Sequence, residues 1–171
     1  KAATGGEILV EGETYDRTRA AAQRLGVYCL PEEPLRNACV GRMSVAENLA
    51  FRRFDRRPDG TPSLWLDFRG MARNARAQIA RYGIKTASKD APIASLSGGN
   101  VQRSVLAREL SGAPKLLIVA NPCFGLDFQA VADIRSQIVE ARNRGAAVLL
   151  ISEDLDEILE LSDRILVMSD G

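Results

Sequence analysis

Five residues, Leu96-Ser97-Gly98-Gly99-Asn100, followed by Val101-Gln102-Arg103 and an apolar helical run, are of the types best suited to bind an anion. Ser97 can cap a helix N-terminus, while Gly98 and Gly99 let backbone N–H groups come close to a ligand. The helix behind them ends its dipole there, which makes the loop a phosphate-binding terminus. A bare Ser-Gly-Gly would also suit a flexible loop. The full string, however, is expected by chance on the order of twice in ten thousand chains of this length. Other chemistry is thinly supplied. The chain has no histidine, so the commonest acid/base group and metal ligand is missing. Cys29, Cys39 and Cys123 show no CxxC pairing and read as buried small apolar residues, with no metal-ligand set.

The elements that must hold this loop follow from apolar periodicity. Asp67–Tyr82 predicts an amphipathic helix, with Phe68, Met71, Ala75, Ile79 and Tyr82 on its inward stripe. The helix after the loop should turn Val101, Val105, Ala107 and Leu110 inward. Lys115–Ala120, entered through Pro114, predicts a buried parallel strand. Asn121-Pro122-Cys123-Phe124-Gly125-Leu126-Asp127 breaks it, and a helix from Phe128 to Arg144 stops at Gly145. A strand at Ala146–Ile151, a helix capped by Ser152 and a strand at Arg164–Met168 come next. Upstream, Glu7–Glu11 turns at Gly12 into a second strand, Arg17–Leu25 is a helix, and Val27–Leu30 is a buried strand. Arg52–Ser63 carries Arg, Asp and Pro with few apolar residues and reads as an exposed loop.

Composition sets the class. With 171 residues, 46% hydrophobic and 26% charged, the chain can build one domain with a real core. Its 23 basic and 22 acidic residues give no overall electrostatic reason to propose nucleic acid or an anionic membrane as a partner. No apolar stretch approaches the roughly 20 residues needed to span a bilayer, and no signal peptide is evident. A cytosolic chain is expected, docked on a membrane component if on any.

The order of signature loop, helix, strand, GLD loop, helix and strand resembles the nucleotide-binding domain of ABC transporter ATPases, over nearly the whole chain. LSGGN, Pro31-Glu32-Glu33, SVAENL at Ser44–Leu49 and Leu149–Met168 are most similar to the ATPases of bacterial simple-sugar and nucleoside importers, where two ATPase domains share one polypeptide. This chain is most similar to the second, degenerate half. The resemblance implies an α/β fold of the P-loop NTPase kind: a parallel sheet core, an N-terminal antiparallel β piece and an inserted helical subdomain. It divides one partial domain into a β/α part at residues 1–34, a helical subdomain with the signature loop at 35–111, and a C-terminal β/α half at 112–171. The family's phosphate loop, GxxxxGK[ST], is not found in the sequence, and Ser169-Asp170-Gly171 is a hairpin-turn signal. The expectation is a fragment lacking the phosphate-loop strand and helix, with an open slot in the sheet.

Carried over position by position, the resemblance implies a failed catalytic centre. The family's Mg²⁺-organising Asp and water-polarising Glu match Ala120 and Asn121. A methyl group cannot organise a dication, and a neutral amide cannot act as a general base. The phosphate-contacting His matches Glu153, and the Gln that meets Mg²⁺ and the transmembrane subunit matches Glu32, where sugar importers often carry an acid. The opposite face is intact. In the family's head-to-tail pair, Ser97, Gly98, Gly99 and Asn100 would close over ATP and Mg held mainly by a partner domain. Gly125, Leu126 and Asp127 match the D-loop along the dimer seam; Asp127 also suits an N-cap.

These residues imply an ATP-binding importer domain. It would partner a second ABC ATPase domain, in the same chain or a dimer, and a transmembrane permease. It would be cytoplasmic and peripheral on the inner face of the cell membrane. A non-enzymatic module binding a permease or twin domain, and a soluble non-transport ABC ATPase, are the competing readings.

Overall fold

The computed structural model describes residues 5–57 and 61–169. Residues 170 and 171 of the expected terminal turn, and 58–60 of the Arg52–Ser63 loop, lie outside them. Two small sheets and seven helices are present among the described residues. Strands β1 (Leu9–Val10) and β2 (Glu13–Thr14) form an antiparallel pair in register Leu9 to Thr14 and Val10 to Glu13. Glu11 and Gly12 between them both have positive φ (52° and 80°), as a two-residue hairpin matched to strand twist requires.

The main sheet is parallel, in the order β3 (Val27–Leu30), β4 (Leu116–Ala120), β5 (Ala147–Ile151). Val27 pairs with Leu116, and Leu116 with Ala147, so the three strands start level. Helix α1 (Arg19–Leu25) leads into β3. Thr18 caps it by accepting from the Ala21 N–H, and Gly26 closes it in the left-handed conformation. Leu30, Leu117 and Val119 of the sheet pack with Val105 and Leu106 and with Ile134 and Ile138. Val105 and Leu106 belong to helix α5 (Gly98–Leu110), and Ile134 and Ile138 to helix α6 (Phe128–Asn143).

Helices α2 (Pro34–Asn37), α3 (Val45–Ala50) and α4 (Phe68–Arg81) lie between the two halves of the sheet in sequence. Helix α3 carries a full capping box: Ser44 accepts from the Glu47 N–H while the Glu47 carboxylate accepts from the Ser44 N–H at 2.8 Å. Val45, Leu49, Ala75, Tyr82, Ile84 and Ala107 form a second core between α3, α4 and α5. Thus α5 serves both cores, and every residue from Asn100 to Glu109 is buried, six of them polar or charged besides the apolar stripe.

The α/β class, the antiparallel pair and the parallel strands β3 to β5 agree with expectation. Four local readings need correction. Ile165–Met168 forms no regular element and pairs with no described strand, and Leu166, Val167 and Met168 are exposed. Apolar β-propensity supplies no hydrogen-bond partner, and β5 has none on its far side among the described residues. Phe68 follows the inward spacing but is 66% exposed, because the first turn of α4 has no packed neighbour at that azimuth. The cap of α7 (Leu155–Leu161) is Asp154, which accepts from the Asp156 and Glu157 N–H groups. Ser152 accepts from the Asp154 N–H at 3.0 Å and donates to Glu157 at 2.7 Å, so it orders the turn one step earlier. Finally, the three cysteines are half-buried thiols, not core-buried ones.

Candidate functional site

The signature loop sits where a short 3₁₀ turn, Ile93–Ser95, hands over to α5. Ile93 is fully buried and pins the turn, so Ser97 and Gly98 project to solvent. Ser97 holds the N-cap position with extended backbone (φ −64°, ψ 156°), but its side chain makes no capping bond to a backbone amide. This corrects the simple capping role. The Ser97 hydroxyl accepts instead from Asn100 Nδ2 at 2.8 Å. Asn100 Oδ1 accepts in turn from the Lys85 N–H at 2.7 Å. Asn100 therefore holds the hydroxyl and ties the loop to the chain after α4. Gly98 and Gly99 are the first two helical residues, so no helix carbonyl precedes them to take their N–H groups. A Cβ on Gly98 would meet nothing within 4 Å, whereas one on Gly99 would touch Leu126 at 3.5 Å and Ala130 at 3.6 Å. The loop is open on the side an anion would approach, and its other side rests on the GLD loop.

That second loop is anchored by α5. Gln102 donates through Nε2 to the Pro122 carbonyl, and Arg103 pairs with Asp133 of α6 at 2.5 Å. Asp127 caps α6 by accepting from the Ala130 N–H at 2.8 Å, and Gly125 turns with φ 70°. Ser97–Asn100 and Gly125–Asp127, remote in sequence, are thus neighbours.

The positions Glu32, Ala120, Asn121 and Glu153 also converge, but on one another. Ala120 ends β4, and Asn121 continues the pairing by donating its N–H to the Ile151 carbonyl at 2.8 Å. Asn121 then adopts a left-handed φ of 43°, a region that Asn tolerates better than most side chains. Its Nδ2 donates to Glu32 Oε1 at 3.2 Å, and its Oδ1 accepts from the Glu153 N–H at 3.1 Å. One amide therefore bridges the end of β3 to the turn after β5, using both a donor and an acceptor. Aspartate or glutamate offers no donor for Glu32 at neutral pH. Beside this bridge lies a cleft of about 300 Å³ lined by Asn121, Cys123, Ser152, Glu153, Asp154 and Glu157, among others. Burial, then the Glu157 carboxylate, pushes the Cys123 thiol up to about 12. Such an acidic lining does not fit a triphosphate, and no described cluster of three or more His, Cys, Asp or Glu side chains could hold a metal ion. The α5 terminus, with free amides and open space, does fit a phosphate group. A larger cleft, about 420 Å³, shares no lining residue with the first; Arg76, Thr86, Lys89 and Asp90 border it.

Sequence reasoning missed the ionic junction at the far end of α5. Glu109, 0% exposed, takes Arg52 Nε at 2.8 Å and Arg108 Nε at 2.7 Å. Arg108 also donates to the Ala38 carbonyl at 2.8 Å, and Arg52 stacks on Tyr28 at 4.9 Å. The only sequence signal was a charged Arg-Glu pair inside an otherwise apolar helical run.

A parallel sheet backed by helices, with a glycine-rich helix terminus abutting a GLD loop, defines an ATP-binding-cassette type of domain. The family model for ABC transporters matches residues 1–123, and the chain belongs to that family. It is 42% identical over 173 residues to the arabinose import ATP-binding protein AraG of Ralstonia nicotianae, covering 98% of this chain and 34% of that protein. It is 40% identical over 142 residues to the nucleoside import ATP-binding protein NupA of Lactococcus lactis, covering 83% and 28% respectively. Among solved structures, a nucleotide-free ATP-binding cassette from an ABC transporter superposes with a TM-score of 0.72 at 22% identity, covering 94% of this chain and 64% of that one. The chain spans about a third of the length of these curated relatives.

Proposed function

We propose that this chain is part of the ATP-binding component of an importer for a simple sugar or a nucleoside, and that it completes an ATP site whose phosphates are held elsewhere. Ser97, Gly98 and Gly99 donate to the γ-phosphate of ATP bound with Mg by a second ATPase domain, and Asn100 holds the Ser97 hydroxyl in place. Gly125, Leu126 and Asp127 back the loop at the seam between the two domains. Residues 35–111 act as the helical subdomain facing a permease, between core parts at 1–34 and 112–171. The working location is the cytoplasmic face of the membrane.

The supporting observation is the contrast between two loops. The Gly98 and Gly99 amides open α5 with no helix carbonyl to take them, and Gly98 has open space beside it, while Glu32, Asn121 and Glu153 are engaged with one another beside an acidic cleft. Ala120 and Asn121 supply neither the magnesium-organising carboxylate nor the general base, and the Glu153 anion repels phosphate, so this chain alone turns over no ATP.

Gly99→Glu in the complete transporter tests the reading. A carboxylate there obstructs the backbone approach and adds like charge beside the triphosphate, and losing preorganised donors costs on the order of 10²–10³ in rate. Steady-state ATPase activity should fall by about that factor, with less loss for Asp127→Ala, which alters only the seam and a cap. Unchanged activity in Gly99→Glu would make the chain a non-enzymatic interaction module.

A further inference from the structure

The turn between Ser63 and α4 exposes more apolar surface than any folding argument explains. Leu64 is 101% exposed and Trp65 84%, and Leu66 and Phe68 follow them into solvent. The turn is built, not loose. Ser63 N–H donates to the Asp55 carbonyl at 2.8 Å and Arg57 N–H to the Thr61 carbonyl at 2.9 Å, which ties the chain entering the turn to the preceding segment. Ser63 Oγ donates to the Trp65 carbonyl at 2.8 Å, and Asp67 caps α4 through the Gly70 N–H at 2.8 Å. Apolar side chains are thus exposed on a turn held by its own hydrogen bonds.

Its surroundings are cationic. From Arg52 to Arg81 the sequence has eight arginines against three aspartates and no lysine or glutamate, in a chain whose total charge is +1. Arg69, Arg73 and Arg76 recur at helical spacing on the exposed face of α4, and no described carboxylate pairs with them. Of the two described acids, Asp55 is bound to Arg19 at 2.8 Å and Asp67 is spent on the cap.

We propose that the Leu64–Phe68 turn and the Arg69–Arg73–Arg76 stripe form a docking surface for an anionic phospholipid bilayer. Leucine and tryptophan enter the interface between headgroups and acyl chains, where an indole is at home, and the guanidinium groups engage phosphate and carboxylate headgroups. A second copy of the chain would bring like charges together. None of the Leu64–Phe68 residues lines either cleft, and exposed apolar side chains beside guanidinium groups match the layered chemistry of acyl chains under anionic headgroups. The inference does not depend on the nucleotide reading and needs no ATP to test.

Trp65 is the sole tryptophan, so intrinsic emission reports this turn alone. The complete chain is mixed with phosphatidylserine-containing vesicles and with pure phosphatidylcholine vesicles, followed by emission and co-sedimentation. Expected is a shift to shorter wavelength with binding on anionic vesicles only, abolished in 1 M salt, where screening acts within about 3 Å. Arg69→Glu with Arg73→Glu, both on the solvent face, should weaken binding by at least about 30-fold, taking about fivefold per arginine near an anionic surface. Leu64→Ser with Leu66→Ser should remove the emission shift, whereas Leu166→Ser with Val167→Ser, at a separate apolar stretch, should leave binding intact. Equal binding to both vesicle types, loss of binding in the Leu166/Val167 control, or no shift on anionic vesicles would overturn the proposal. So would a shift seen only on neutral vesicles carrying the permease, which would assign the turn to a protein partner.

Discussion

Removing the Glu109 carboxylate tests the claim that an ionic junction, not only apolar packing, joins α5 to the rest of the molecule. Glu109→Ala leaves two guanidinium groups without their shared counter-ion, and the Arg108 side chain is only 7% exposed. Arg52 retains 25% exposure and recovers part of its hydration. Breaking a buried pair from one side costs about 3–5 kcal/mol, and partial hydration of Arg52 places this case near 3. A domain of this size has about 5–15 kcal/mol in total. With a urea slope of about 2 kcal/mol per molar, the unfolding midpoint should fall by about 1.5 M, read by far-ultraviolet circular dichroism. Glu109→Gln keeps the shape and one acceptor but turns an amide N–H₂ toward a cation, so it should lose roughly half as much. Replacing Arg52, Arg108 and Glu109 together by methionine should recover most of the loss, since buried ion clusters exchanged for packed apolar groups are often neutral or better. A midpoint shift under about 0.5 M for Glu109→Ala, which is about 1 kcal/mol at that slope, would refute the reasoning.

Three further outcomes are expected. Asn121→Asp places a third carboxylate between Glu32 and the Glu153 turn, so stability at neutral pH should drop by roughly 1–2 kcal/mol and recover as acid protonates the cluster, measured by urea midpoints across pH. Ser44 hydrogen bonds hold the Glu47 carboxyl below its ordinary value of 4.5. Its contribution is therefore fully present above 4.5 and fades as pH falls through the lower folded value, and the gap between wild type and Ser44→Ala, about 1 kcal/mol at neutral pH, should narrow there in thermal melts. The Cys123 thiol, raised from 9.0 to about 12, should be alkylated by iodoacetamide more slowly in the folded than in the unfolded chain at pH 8, and the stability it lends should decline above pH 9 as the unfolded thiol ionises first.

The sheet was legible because β3, β4 and β5 are short apolar runs between breakers, although β5 has no buried residue among the described ones. The loop at the head of α5 was legible because the full string Leu96–Asn100, not the glycine pair alone, stands directly before an apolar helical run. What periodicity could not see was partnership. Ile165–Met168 has strand composition but no described neighbour to bond. Phe68 has the right azimuth on α4 but nothing opposite it, and Ser97 has the right type for a cap but is taken by Asn100. The Glu109 junction and the Asn121 bridge join residues 57 and 89 positions apart, and no local pattern announces contacts of that range.

Helix α5 has one more consequence. Its 13 residues make a rod about 20 Å long, buried from Asn100 to Glu109, with Gly98 and Gly99 at one tip and the Arg52–Glu109–Arg108 junction at the other. A rod clamped on all sides does not bend under a load at its end; it moves with whatever holds it. The two glycine amides and the Arg52 junction, which stacks on Tyr28 of β3, are therefore opposite ends of one rigid element, and neither end shifts without the other.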